Sequence, residues 1–263
     1  MAHAPRRAAW LGGGLGLLLA LLLFAPARWL AIALAQSSGE QLLLVNTRGT
    51  VWQGQGDLLF TGGAGSRTQT ALAGGLRWQL RLQLAGGIPA LQLRLNAPCC
   101  TPEPLALSLH PRLGGGELRL GASTSQWPAD LLSGLGTPWN TLQLQGLLAV
   151  QTEGLTLRLA QGRTTLQGAV VVDVLDLASR LSTLRPLGSY RLHLQAAEDG
   201  HTATLQLNTL KGDLLLSGDG QWVGGRLRFT GEAQATPERE TALGNLLNIM
   251  GRRQGDRSVF SVG

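Results

Sequence analysis

The sequence has almost no lysine. Lys211 is the only one, and the other 21 basic residues are arginines. Charge of either sign is scarce, at 14% of 263 residues, and the formal net charge is +6. Low charge does not by itself mark disorder, because neutral polar residues fill the positions that charges would. The arginines alternate with leucines. No dense basic run with interleaved aromatics is present, so nucleic acid is not an expected partner. Cysteine is limited to the adjacent pair Cys99 and Cys100, within Ala97-Pro98-Cys99-Cys100-Thr101-Pro102. Neighbouring thiols cannot form a spaced metal cage alone, and CxxC redox spacing is missing. In an oxidising compartment the two can close on each other or stay free.

Catalytic motifs are also missing. The four histidines, His3, His110, His193 and His201, stand in neither HExxH nor HxxH spacing. There is no GxSxG elbow and no GxxxxGK[ST] phosphate loop. Asp173 and Asp176 read more simply as partners of a helix N-terminus than as a carboxylate pair. The sequence therefore predicts a protein that is not an enzyme, with no catalytic, cofactor-binding or metal-ligating residues.

Two patterns are abundant. The first is N-terminal. Arg6 and Arg7 precede an uncharged run from Trp10 to Ala25, then Pro26-Ala27-Arg28 and a second apolar stretch, Trp29 to Ala35. As one helix, Trp10 to Leu34 would reach about 37 Å, against about 30 Å of bilayer hydrocarbon. Trp10, Leu17, Leu22, Phe24 and Trp29 are the expected anchor residues, the tryptophans lying at the two interfaces. Gly12-Gly13-Gly14 and Gly16 fall inside this span, where small residues allow close helix packing. The arginines ahead of the span place the N-terminus in the cytoplasm. The expected layout is a cytoplasmic end over 1–9, a transmembrane anchor over 10–35 and a β-rich domain over 36–263. Ala33-Leu34-Ala35 before Gln36 also fits a signal-peptidase box, so a cleaved leader is the competing reading. Both readings deliver the same body across the same membrane.

The second pattern is period-two alternation. Leu76, Trp78, Leu80, Leu82 and Leu84 alternate with Arg77, Gln79, Arg81 and Gln83, and similar runs recur to Leu227-Phe229. Alternation gives each strand one apolar and one polar face. Turn signals such as Gly86-Gly87, Asp199-Gly200 and Gly224-Gly225 separate the runs at short intervals, which favours antiparallel neighbours. The predicted fold is mainly β: a long, twisted and curled antiparallel sheet behind a single N-terminal transmembrane helix. Short helices are expected over 128–135, 173–184 and 237–250, each with an apolar stripe for core packing. Gly49–Gly54 and Gly220–Gly225 echo each other as tight turns with a buried tryptophan. Arg252, Arg253 and Arg257, beyond Gly251, form a candidate partner contact, with a solvated tail as the alternative.

Several segments carry a family resemblance: Gly49-Thr50-Val51-Trp52-Gln53-Gly54, Trp127-Pro128-Ala129-Asp130-Leu131-Leu132, Pro138-Trp139-Asn140-Thr141-Leu142, Leu187-Gly188-Ser189-Tyr190 and Leu246-Leu247-Asn248-Ile249-Met250-Gly251-Arg252-Arg253. Together with the basic N-terminus and the span, this order resembles protein N of the bacterial type II secretion system. The resemblance covers nearly the whole chain and implies a bitopic inner-membrane protein with a periplasmic domain. It also implies a retained anchor, no catalytic residues to carry over, and other secretion-system components as partners. A sheet with one apolar face admits a second reading, a lipid-handling module resembling AsmA-like proteins, with acyl chains in an apolar groove.

Overall fold

The structure, a computed structural model, describes residues 4–85, 87–112, 114–137, 139–223 and 226–263. His3, Pro138 and the turn glycines Gly86, Gly224 and Gly225 lie outside the described residues. Two helices open the chain, α1 (Ala4–Leu23) and α2 (Ala27–Ser37). Strands follow: β1 (Leu42–Gly49), β2 (Gln53–Thr61), β3 (Gln69–Ala71), β4 (Leu76–Ala85), β5 (Ile88–Asn96), β6 (Leu105–Arg112) and β7 (Gly115–Pro128). After the short helices α3 (Leu131–Gly134) and α4 (Trp139–Leu142) come β8 (Gln145–Ala160), β9 (Arg163–Ala178), β10 (Gly188–Ala196), β11 (Thr202–Gly212), β12 (Leu214–Val223) and β13 (Arg226–Ala235). A 3-10 turn, Pro237–Arg239, leads into α5 (Glu240–Met250), and β14 (Arg252–Gln254) and β15 (Arg257–Val262) end the chain.

All the strands join one sheet in the order β1-β2-β4-β5-β6-β7-β8-β9-β10-β11-β12-β13-β15-β14, with β3 attached to β2. Every pairing is antiparallel. Among the described residues the sheet is open, with β1 and β14 at its edges. The predicted mainly β, antiparallel architecture is therefore present, and short turns make consecutive strands neighbours almost throughout.

Alternation sets one face apolar, and helices cover that face at both ends of the sheet. At one end α2 lays Ala27, Leu30, Ala31 and Leu34 onto Leu44, Trp78, Leu93 and Leu95. Beside it, Leu131 of α3 packs with Leu72, Ala97, Cys100 and Trp127. At the far end α5 buries Leu243, Leu246 and Leu247 against Leu187, Leu214, Ala233 and Ala235.

The structure departs from the sequence expectations in four places. The single helix from Trp10 to Leu34 does not form. Pro26 lacks the N–H that would continue the helix, and its ring collides with the preceding turn; it stands extended at ψ 146° and starts α2 afresh. Trp29 thus belongs to a helix lying on the sheet. Among the described residues no helix is long and apolar enough to cross a membrane. Residues 173–184 are not helical: Asp173–Ala178 ends β9, hydrogen-bonded between β8 and β10. Their apolar stripe is nevertheless used, since Leu181 and Leu184 pack against the α5 core. Gly220–Val223 is strand, not a turn, and Trp222 is exposed. The expected helix over 128–135 shrinks to α3, whereas the one over 237–250 is present as the 3-10 turn and α5.

Candidate functional site

Between the helix-covered ends, the apolar face is bare. Register lines up one leucine per strand across six strands: Leu82 faces Leu91, Leu91 faces Leu109, Leu109 faces Leu118, Leu118 faces Leu157, and Leu157 faces Leu166. A second row, Leu80-Leu93-Leu107-Leu120-Leu155, runs beside it and is half-buried, with Leu93 already packed in the core under α2. Leu82, Leu84, Leu109, Leu118, Leu157 and Leu159 are between 39% and 76% exposed. They sit on the β4–β5, β6–β7 and β8–β9 hairpins, towards the tips.

The reverse face of the same hairpins is cationic. It carries Arg77, Arg81, Arg94, Arg112, Arg119, Arg158 and Arg163; the strands of these hairpins also hold Glu117, Glu153, Asp173 and Asp176, of which Glu117 is the one near the tips. Glu117 is fully covered, while the three arginines over it are about half-exposed. Arg158 Nε donates to Oε2 at 2.7 Å, Arg112 Nη2 donates to the same oxygen at 3.3 Å, and Arg119 Nε donates to Oε1. The carboxylate thereby ties β7 to β8 and to the end of β6. Burial pushes the Glu117 carboxyl up, but hydrogen bonds and charge from Arg119 and Arg158 outweigh it and hold the group below its ordinary range. A depressed folded-state pKa stabilises above the unfolded value, and that contribution is lost as pH falls through the folded one. Urea unfolding of the protein should accordingly show stability falling below about pH 4, with Glu117→Gln flattening that acid limb. At neutral pH, Glu117→Gln is expected to cost about 1–2 kcal/mol, less than a fully buried ion pair because water still reaches the arginines.

His110 lies directly across from Glu117 in register, and its Nδ1 is buried without a hydrogen-bond partner. Further along β9, Asp173 accepts from Nε and Nη2 of Arg191 on β10, both at 2.7 Å. These hydrogen bonds, larger in effect than the burial that opposes them, keep the Asp173 carboxyl below its usual range. Asp173 is thus a cross-strand partner. An open depression of about 760 Å³ is lined by Pro102, Ser123, Thr152, Glu153 and His193, among others. Among the described residues no group of three or more His, Cys, Asp or Glu could hold a metal ion.

The anchor residues Trp10, Leu17, Leu22, Phe24 and Trp29 are between 46% and 82% exposed. The first four belong to α1 or the turn after it. The end of α1 is tied to the β1–β2 turn: Trp52 Nε1 donates to the Leu22 carbonyl and the Val51 N–H to the Ala25 carbonyl, both at 2.8 Å, and Pro26 bridges Thr50. Cys99 and Cys100 are joined as a disulfide with Cα atoms 3.7 Å apart, and Cys100 is buried. The three C-terminal arginines are dispersed. Arg253 donates to the Gly255 carbonyl and to Glu240, Arg257 pairs with Glu232, and Arg252 stands exposed. The segment that bears them is the β14–β15 hairpin, not a solvated tail.

Both sheet edges are blunted. β1 is bulged between Val45 and Arg48, with Asn46 at φ 51°, and β14 has three residues. Bulges and short edge strands discourage unplanned strand addition.

The bare leucine rows and the buried Glu117 are the features that sequence alone did not single out. Glu117 is close in sequence to Arg112 and Arg119; its place beneath them and Arg158 follows from register.

A family model described as type II secretion system (T2SS), protein N, matches residues 40–260. No curated protein and no solved structure matches the chain.

Proposed function

The chain belongs to the type II secretion system protein N family, and from that premise we propose that it is a non-enzymatic assembly component held at the inner membrane by α1. In this reading the N-terminus is cytoplasmic and the sheet periplasmic. The observation that carries it is the isolation of α1. Its large apolar residues from Leu15 to Leu23 are exposed, and its hydrogen-bonded attachment to the sheet is at its C-terminal end. An exposed apolar helix is unfavourable in water, and Arg6 and Arg7, in α1 before its apolar run, set its orientation. The anchor then ends near Phe24, because α2 is committed to the sheet. The broad sheet offers a rigid surface to other components.

Crosslinking in membranes followed by purification tests this reading. Recovery of other secretion-system components with an intact, uncleaved chain is the expected result. A mature chain lacking residues 1–35, or crosslinks to no secretion component, would refute it. The uncovered leucine rows support a second reading, a groove for acyl chains. Lipid recovered with the purified chain in the absence of secretion components would favour that instead.

A further inference from the structure

The hairpin tips sit on the same edge as the end of α1. The β1–β2 turn that holds Leu22 and Ala25 lies beside Leu80, whose N–H donates to the Trp52 carbonyl at 2.6 Å. From Leu80, β4 runs on to Ala85, which carries the β4–β5 hairpin about 17 Å past that turn. Leu82 and Leu84 are on the projecting part. The leucine row from β4 to β9 continues the same face over five strand spacings, about 24 Å.

We propose that the tips of the β4–β5, β6–β7 and β8–β9 hairpins contact the surface of the bilayer that α1 enters, with an anionic headgroup layer as the partner. Leu82, Leu84, Leu109, Leu118, Leu157 and Leu159 enter the acyl boundary. Arginines on the reverse face reach lipid phosphates; their long stems let the guanidinium stay at headgroup level while the backbone lies lower.

Charge favours this occupant: towards the tips Arg81, Arg112, Arg119, Arg158 and Arg163 stand against one acid, the already occupied Glu117, while Glu153, Asp173 and Asp176 lie further back along β8 and β9. The form of the apolar surface favours it too. Protein interfaces concentrate binding in aromatic anchors seated in pockets. These rows are aliphatic throughout and hold no aromatic residue, which suits a fluid partner. Hydrophobic gain scales with the leucine area removed from water and needs no shape match.

The inference rests on the anchor reading, and the test separates the two. Spin labels are placed singly on Leu84→Cys, Leu118→Cys and Leu159→Cys of the full chain, with Leu17→Cys reporting on α1 and Gln221→Cys as an aqueous reference. Leu84, Leu118 and Leu159 are exposed, so labelling leaves the core intact. Cys99 and Cys100 are paired, and the unmutated chain serves as the labelling blank. The protein is reconstituted into vesicles of phosphatidylcholine and phosphatidylglycerol, and access of oxygen and of a water-soluble nickel chelate to each label is read by EPR. The expected result is a shift from nickel-accessible to oxygen-accessible at Leu17 and at all three hairpin positions, with Gln221 unchanged. Lipid access at Leu17 with the hairpin labels still in water would overturn the proposal and leave the anchor standing. Labels in water at every position would overturn both. Hairpin labels shielded from oxygen and nickel alike would mean a protein partner or a second copy covers the rows, which also overturns it.

Discussion

Replacing Trp78 by alanine is expected to lower the unfolding free energy by about 3–5 kcal/mol, read as a shift in the urea midpoint. Three separate contributions meet at this side chain. It is almost wholly buried in the core beneath α2, beside Ala27, Leu44 and Leu93. Its indole N–H is shared between the Thr50 and Val51 carbonyls, 3.2 Å from each, so it also fixes the β1–β2 turn. The third contribution is steric. Gly54, opposite Trp78 in register, leaves room for the ring on the neighbouring strand. Truncation leaves a cavity with rigid strand backbone on one side and a helix on the other, a geometry that collapses poorly. Loosening α2 would also free the attachment of α1. Trp78→Phe, which keeps most of the volume but loses the N–H, should recover most of the loss. If Trp78→Ala proved neutral, α2 would not be a packed part of the domain.

Leu247→Ala should cost about 2–5 kcal/mol by the same measurement. Leu247 and Leu243 are fully buried where α5 closes the face of β12, β13 and β15. The backbone carbonyl of Leu247 also accepts a hydrogen bond from buried Ser258 Oγ at 2.7 Å, which links α5 to β15. A neighbour on the same helix, Ile249, is 57% exposed. Ile249→Ala therefore serves as the control and should lie within about 0.5 kcal/mol of the parent. The contrast tests whether α5 buries the face assigned to it.

Much of the fold was legible in the sequence. The leucine alternation marks the strands and divides each into two faces, because successive strand side chains point to opposite sides. The helix over 237–250 was legible for a similar reason: its stripe of Leu243, Leu246, Leu247 and Met250 has helical period and begins behind acidic residues. Residues 173–184 show where this reasoning fails. Val174, Leu177, Leu181 and Leu184 also have helical spacing, but β8 and β10 stand on both sides and supply ladder hydrogen bonds as far as Leu177 and Ala178. Tertiary pairing outweighs a short local pattern here. The helix break at Pro26 could be expected from proline chemistry; that α2 then lies on the sheet could not, since it depends on Leu44 and Trp78 being in place.

The candidate site divides in the same way. Sequence by itself determined that an apolar face and a polar, arginine-bearing face exist, because periodicity and residue type are local properties. It also showed an uncharged run from Trp10 to Ala25 behind two arginines. Only the tertiary structure decided which stretches of the apolar face α2, α3 and α5 cover and which leucines stay bare. It also decided that Glu117 lies beneath arginines from its own and neighbouring strands, and that α1 leaves from the edge where the hairpins project. Each of these depends on strand register, which brings together residues tens of positions apart and is specified by no single segment.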